Sequence, residues 1–173
     1  NSLLLLCCLT CFQFLQAQSF LKILRKSDNS SHYCRKLLQL SDTEYAFLTN
    51  TELYRIDQQG AILKQVSIGH NGYDLQDIGQ LTNKQTVIAG GVYTGTSSAI
   101  KLTRLDANGQ VLREREFNIN SSFDNLRLVP STNNRFFLVF VQVEQQRRHP
   151  AVMYLDQDFN ILWERHLGFE VYY

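Results

Sequence analysis

Apolar and polar positions along the chain follow a pattern that is written three times. In the middle copy, Leu102 to Leu112, an apolar strand ends at Asp106, a turn holding Gly109 follows, and a second apolar strand begins. The other copies run from Leu53 to Leu63, with Asp57 and Gly60 in the turn, and from Val152 to Leu162, with Asp156 and Asn160. The aspartates lie 49 and 50 residues apart. Four columns around them are apolar in every copy. Four residues before the Asp stand Leu53, Leu102 and Val152, and one before it Ile56, Leu105 and Leu155. Five after it stand Ile62, Val111 and Ile161, and six after it Leu63, Leu112 and Leu162. A fixed spacing of this length marks a repeat architecture in which each unit is one supersecondary block.

Two further strands precede each hairpin. The first strands are predicted at Lys36–Leu40, Leu75–Leu81 and Asn125–Val129, the second at Tyr45–Leu48, Thr86–Ala89 and Phe136–Val143. Polar turns join them at Ser41–Glu44, Thr82–Gln85 and Ser131–Arg135. Each unit is thus a meander of four short strands. Phe136 to Val141 and Val87-Ile88-Ala89 are continuous apolar runs, which requires burial on both faces of those strands. The last strands carry charge, in Arg113-Glu114-Arg115-Glu116 and Trp163-Glu164-Arg165-His166, as suits an outer edge that must not pair with a second molecule. Four-stranded units buried on both faces and charged at the outer strand describe the blades of a β-propeller. The expected fold class is therefore all-β, propeller blades with a period of about 50 residues in an incomplete ring, since propellers close with roughly four to eight blades. Blades are expected over 36–69, 73–118 and 123–168. Residues 169–173 read as the start of a further blade, with Tyr172 in the place of Tyr73.

Ahead of the repeat, Leu3 to Leu15 is apolar and uncharged and Gln16-Ala17-Gln18 follows. About 13 residues is too short for a membrane-spanning helix, which needs roughly 20, but it suits the core of a secretory signal peptide cut after Ala17. Residues 1–17 are read as that signal, with no transmembrane segment expected, and 18–35 as a lead-in. None of Cys7, Cys8 and Cys11 follows a small residue, so a lipoprotein signal is disfavoured. Cleavage would leave Cys34 alone, so the fold is expected to rest on packing without disulfides. Asn29-Ser30-Ser31 and Asn120-Ser121-Ser122 fit the N-glycosylation triplet.

Composition adds bounds. Of 173 residues, 44% are hydrophobic and 19% charged, which is ordinary for a globular chain with a real core. A net charge of +1, with basic and acidic residues interleaved, gives no reason to expect nucleic acid as a partner.

The pattern apolar-x-x-apolar-Asp-x-x-Gly-x-apolar-apolar-Trp, then Gly, with Asp opening the next unit, resembles the repeats of exported bacterial β-propeller proteins, within the broader quinoprotein-like and WD-like propellers. The resemblance runs from Lys36 to Tyr173. Only Trp163 fills the Trp column, where Lys64 and Arg113 stand in the other units. That departs from cofactor-binding quinoproteins, in which the Trp clamps adjacent blades. The resemblance implies a surface, periplasmic or secreted location.

Candidate chemistry is sparse. Asp156, Asp158, Asn160 and Glu164 have the spacing of a calcium loop, but the matching residues Asp57, Gln59, Ala61 and Gln65 could not hold an ion. A structural role is favoured, with each Asp accepting from turn amides and Gly60 or Gly109 supplying a positive φ. Asp74 and Asp124 open the inner strands near the channel mouth, and a turn-capping role is expected for them. His32, His70, His149 and His166 have no metal-ligand spacing. Gly90 to Gly95 and Gln145 to Pro150 read as connections between second and third strands, exposed and able to meet a partner. No catalytic, cofactor-binding or metal-ligating residue is assigned, and no cofactor is expected. The leading expectation is an exported, non-enzymatic binding or scaffold domain for a protein or carbohydrate ligand, completed by the rest of the same propeller. The alternative is a propeller hydrolase, lyase or quinoprotein-like oxidoreductase with its active site in the channel.

Overall fold

A computed structural model describes residues 33–69, 73–94, 97–119, 121–144 and 147–168. The expected signal peptide, the Asn29 triplet, Asn120, His32, His70 and the start of a further unit at 169–173 lie outside the described residues.

The described chain is all strand and turn. The first sheet holds β1 (Lys36–Ser41), β2 (Glu44–Leu48), β3 (Glu52–Asp57) and β4 (Ile62–Ser67). The second holds β5 (Tyr73–Gln80), β6 (Thr86–Thr94), β7 (Ser97–Leu105) and β8 (Val111–Ile119), and the third β9 (Ser122–Pro130), β10 (Phe136–Glu144), β11 (Arg147–Leu155) and β12 (Ile161–His166). Each sheet is an antiparallel meander whose spatial order is its chain order. The inner strands β1, β5 and β9 contact one another in sequence.

The sheets stack face to face over two apolar joints. Ala46, Leu48 and Leu53 of the first sheet meet Tyr73, Leu75, Ile78, Ile88 and Leu105 of the second. On the other side of the second sheet, Val87, Ala89, Ile100 and Leu102 meet Phe123, Leu126, Leu128, Phe136 and Leu138 of the third. Neighbours such as Val87 and Ile88 point into different joints, because successive side chains of a strand face opposite ways. That is why β6 reads as an unbroken apolar run. Each fully buried large side chain contributes about 1.5–3 kcal/mol. These are β-propeller blades.

β10 departs from the expected burial on both faces, because among the described residues only the second sheet packs against it. Phe136, Leu138 and Phe140 are buried in the joint, whereas Phe137, Val139 and Val141 on the opposite face are half-buried. On that face Phe137 stacks on Tyr154 at 4.6 Å, and Tyr154 lies 5.7 Å from Trp163. The apolar columns after the turn aspartates behave differently from those before them. Leu53, Ile56, Leu102, Leu105 and Leu155 are buried, but Ile62, Leu63, Val111, Leu112, Ile161 and Leu162 are exposed. They open the outer strand, which has a neighbour on one side only.

The strands run past two of their predicted limits. Gly90 to Thr94 belong to β6 and Arg147 to Pro150 to β11, so neither stretch is a connection. The glycines are needed for close approach rather than for a turn. A Cβ on Gly90 would lie 2.4 Å from Asp74 O and 2.5 Å from a Tyr73 ring carbon, and one on Gly91 would meet the Tyr93 ring. Pro150 is tolerated inside the sheet because it pairs at the far end of β12, where its carbonyl still accepts from Leu167 N at 2.8 Å.

The recurring aspartates organise the third-to-fourth strand turns. Asp57 Oδ1 accepts from Gln59 N at 2.9 Å and Ala61 N at 2.8 Å, and Asp106 Oδ1 from Asn108 N and Gln110 N, both at 2.8 Å. Gly60 and Gly109 take φ of 79° and 71°. In the third blade the positive φ, 66°, falls on Phe159 and not on Asn160. Phe159 is fully buried and its ring meets Phe136 edge-on at 6.0 Å. Burying the ring outweighs the roughly 1–2 kcal/mol that a left-handed non-glycine costs.

Cationic side chains fasten each turn to the blade before it. Arg55 Nη1 donates to Ala107 O and Lys64 Nζ to Asn108 O. One joint later, Arg104 Nη1 donates to Gln157 O and Arg115 Nη1 to Phe159 O at 2.7 Å.

Candidate functional site at the channel mouth

The inner strands bring one buried charge into the centre of the stack. Asp77 on β5 is fully buried. Its Oδ1 accepts from Ile78 N at 2.9 Å and pairs with Lys36 Nζ on β1 at 2.7 Å, while Oδ2 accepts from Leu128 N on β9 at 2.7 Å. A β-bulge between Leu75 and Asp77 turns the carboxylate into this position. One side chain thus ties together all three blades. Sequence reasoning passed over Asp77. The available signal was its column: Lys36, Asp77 and Arg127 pair with the matching residues Leu48, Ala89 and Val139, so charges of alternating sign line successive inner strands.

Toward the start of the inner strands lies the mouth. Arg35 Nη2 is 3.2 Å from both carboxylate oxygens of Asp74, and Arg148 Nη2 is 2.8 Å from Asp124 Oδ2. Both aspartates are therefore partners in ion pairs, not turn caps. Their place at matching positions of β5 and β9 follows from the repeat. Tyr93 sits near them with its hydroxyl accepting from Gln76 Nε2 at 3.3 Å and its ring stacked on Phe123 at 5.8 Å. Burial pushes its phenol above the ordinary value, and the charges of Asp74 and Asp124 push it further, against opposing effects of Gln76 and Arg35. Tyr93 nevertheless remains 44% exposed. The mouth therefore presents one aromatic surface between two carboxylate–guanidinium pairs.

Tyr73, one residue before Asp74, is structural. Its hydroxyl donates to Lys101 O at 3.1 Å and burial raises its phenol.

The calcium-like spacing resolves into other contacts. Asp156 Oδ1 accepts from Asp158 N and Asn160 N, both at 2.9 Å, and Oδ2 from Asn160 Nδ2 at 3.0 Å. Asp158 pairs with Arg104 at 3.2 Å, and Glu164 with His166 at 3.2 Å. Among the described residues no three His, Cys, Asp or Glu are grouped to hold a metal ion. Cys34 is exposed and free.

No protein-family model and no curated protein matches the chain. Among solved structures it is similar to a protein of unknown function from Bacteroides caccae, with 12% identity and a TM-score of 0.57 over 82% of this chain and 48% of that one. The chain therefore spans about half the length of that structure, and the likeness is one of fold. Two weaker likenesses are the WD40 domain of Neurospora crassa Pan2, at 15% identity and TM-score 0.47 over 76% of this chain and 35% of that one, and Drosophila Plexin A in complex with Semaphorin 1b, at 10% identity and TM-score 0.39 over 83% and 44%.

Proposed function

We propose that the chain forms part of an exported β-propeller that binds its ligand at the channel mouth, as a recognition module and not as an enzyme. The observation that carries this reading is the mouth itself: an exposed Tyr93 ring flanked by the Arg35–Asp74 and Arg148–Asp124 pairs. An aromatic face accepts the apolar side of a sugar ring, and fixed carboxylates and guanidinium groups beside it accept from and donate to hydroxyls. Of the protein and carbohydrate ligands expected for such a domain, this combination favours a carbohydrate. The polar groups are held by one another before a ligand arrives, which lowers the ordering cost of binding. Export is supported by the apolar run from Leu3 to Leu15 followed by Ala17.

Glycan-array screening of the full chain, followed by calorimetry on any hit, tests this. Binding should fall about tenfold in Tyr93→Ala, the loss of one well-placed stacking contact. Wild-type and Tyr93→Ala chains with indistinguishable glycan binding would refute the assignment.

A further inference from the structure

The two joints between blades are built alike except at one place. At the end of the blades away from the mouth, the second joint is filled by two rings. Phe159 stands in the turn of the third blade, three residues after Asp156, and Phe136 opens β10 beside it. The matching residues in the second blade are Gly109, three after Asp106, and Thr86, which opens β6. Where the second joint holds Phe159 against Phe136, the first joint keeps a cavity of about 200 Å³.

The cavity is lined by apolar and charged residues together. Ala46, Leu53, Leu105 and Thr86 are buried beneath it, Leu40 is half-buried, and Lys84 is exposed. Its other charges are already met. Arg55 Nη2 lies 2.7 Å from Glu44 Oε2, and Asp106 is occupied by the amides of Asn108 and Gln110. Lys84 is exposed, with no carboxylate beside its ammonium among the described residues. Its backbone is fixed at φ 64° by a bond from its N–H to Leu81 O at 2.9 Å.

We propose that this cavity is a binding site for a small monocarboxylate with a single-ring or branched aliphatic body, the body seated on the leucine floor and the carboxylate paired with Lys84. Size sets the class. An apolar cavity of about 150 Å³ accommodates a benzene ring, so the present one admits one ring with a short acid arm. Charge sets the sign, because Lys84 is the uncompensated group at the opening. The sister joint argues against a simple packing defect, since the same fold closes this place with Phe159 at nearly the same backbone angle. The site is separate from the mouth, which lies at the opposite ends of β5 and β6.

Calorimetry on the full chain with phenylacetate, 2-phenylethanol and phenethylamine tests the proposal. Phenylacetate should bind, 2-phenylethanol about tenfold more weakly, as expected for a lost charge-assisted bond, and phenethylamine weakest of the three. Lys84→Met should weaken phenylacetate about tenfold while leaving 2-phenylethanol unchanged. Thr86→Phe, which narrows the cavity as Phe136 does in the sister joint, should abolish binding of both, and Tyr93→Ala should alter neither. If Thr86→Phe does not fold, the surface variant Lys84→Met still decides. No heat from phenylacetate at millimolar concentration would overturn the proposal, as would equal phenylacetate affinity in wild type and Lys84→Met.

Discussion

The Asp77 carboxylate on the second blade accepts a 2.7 Å hydrogen bond from the backbone N–H of Leu128 on the third. The two residues are 51 apart in sequence, and the same carboxylate holds Lys36 of the first blade. Asp77→Ala would leave a buried N–H without its acceptor and a lysine without its counter-charge. A loss of about 3 kcal/mol is expected, read from the midpoint of urea unfolding. Asp77→Asn, which can still accept from Leu128, should lose less.

Phe159 gives a second prediction. Phe159→Gly relieves a left-handed φ but removes a fully buried ring. Large-to-small changes of this kind cost about 3–5 kcal/mol, against about 1–2 kcal/mol recovered from the backbone. A net loss of about 2–3 kcal/mol in urea unfolding is expected. An unchanged midpoint would mean that the ring does not plug the second joint.

These two residues also mark where the sequence stops being legible. The meanders could be read because their signal is local: apolar residues before Asp57, Asp106 and Asp156, turn residues after them, and a regular spacing. The hidden contacts are not local. Asp77, in a strand that also holds Asp74, Gln76 and Gln80, reads equally as solvated or buried until β1 and β9 are placed beside it. In the third copy the glycine position, three residues after Asp156, holds Phe159, and nothing local in the sequence says that this ring is buried in a joint. Asp74 and Asp124 could be aligned from the repeat, but their arginines come from a lead-in segment and from β11. The strand ends at Gly90 to Thr94 were hidden because glycines signal turns in sequence, whereas here they admit Asp74 O and the Tyr93 ring.

Gly90 gives a third prediction. A Cβ there meets backbone of β5 as well as the Tyr73 ring, and neither can swing aside. Gly90→Ala should cost about 1–3 kcal/mol through overpacking and displace Asp74 from Arg35. Loss of glycan binding together with stability would be the observable. A variant as stable as wild type would contradict the close approach.

The fourth prediction concerns acid. Burial alone would raise the Asp156 carboxyl, but the bonds from Asn160 and from the Asp158 amide, with the nearby charge of Arg113, outweigh it and hold the group below its ordinary value. A carboxyl depressed in the folded state contributes stability above its unfolded pKa of about 3.9, and that contribution is lost as pH falls through the folded value. Asp156→Asn should therefore be less stable than wild type near neutral pH by about 1 kcal/mol, with the gap closing in acid. Unfolding curves from pH 7 down to about pH 2, below both pKa values, should converge. Curves that stay parallel would show that the turn does not depend on the charge.

The most direct test of the stacked-blade account is amide hydrogen exchange at Leu128. Its N–H donates to Asp77 of the neighbouring blade, so protection requires the second blade to be seated against the third. In the wild-type chain it should exchange as slowly as the central amides of β10. In Asp77→Ala it should exchange much faster while the amides within β6 and β7 keep their protection. A Leu128 amide that exchanges in the wild type as fast as the exposed turn at Ser131–Arg135 would contradict the account.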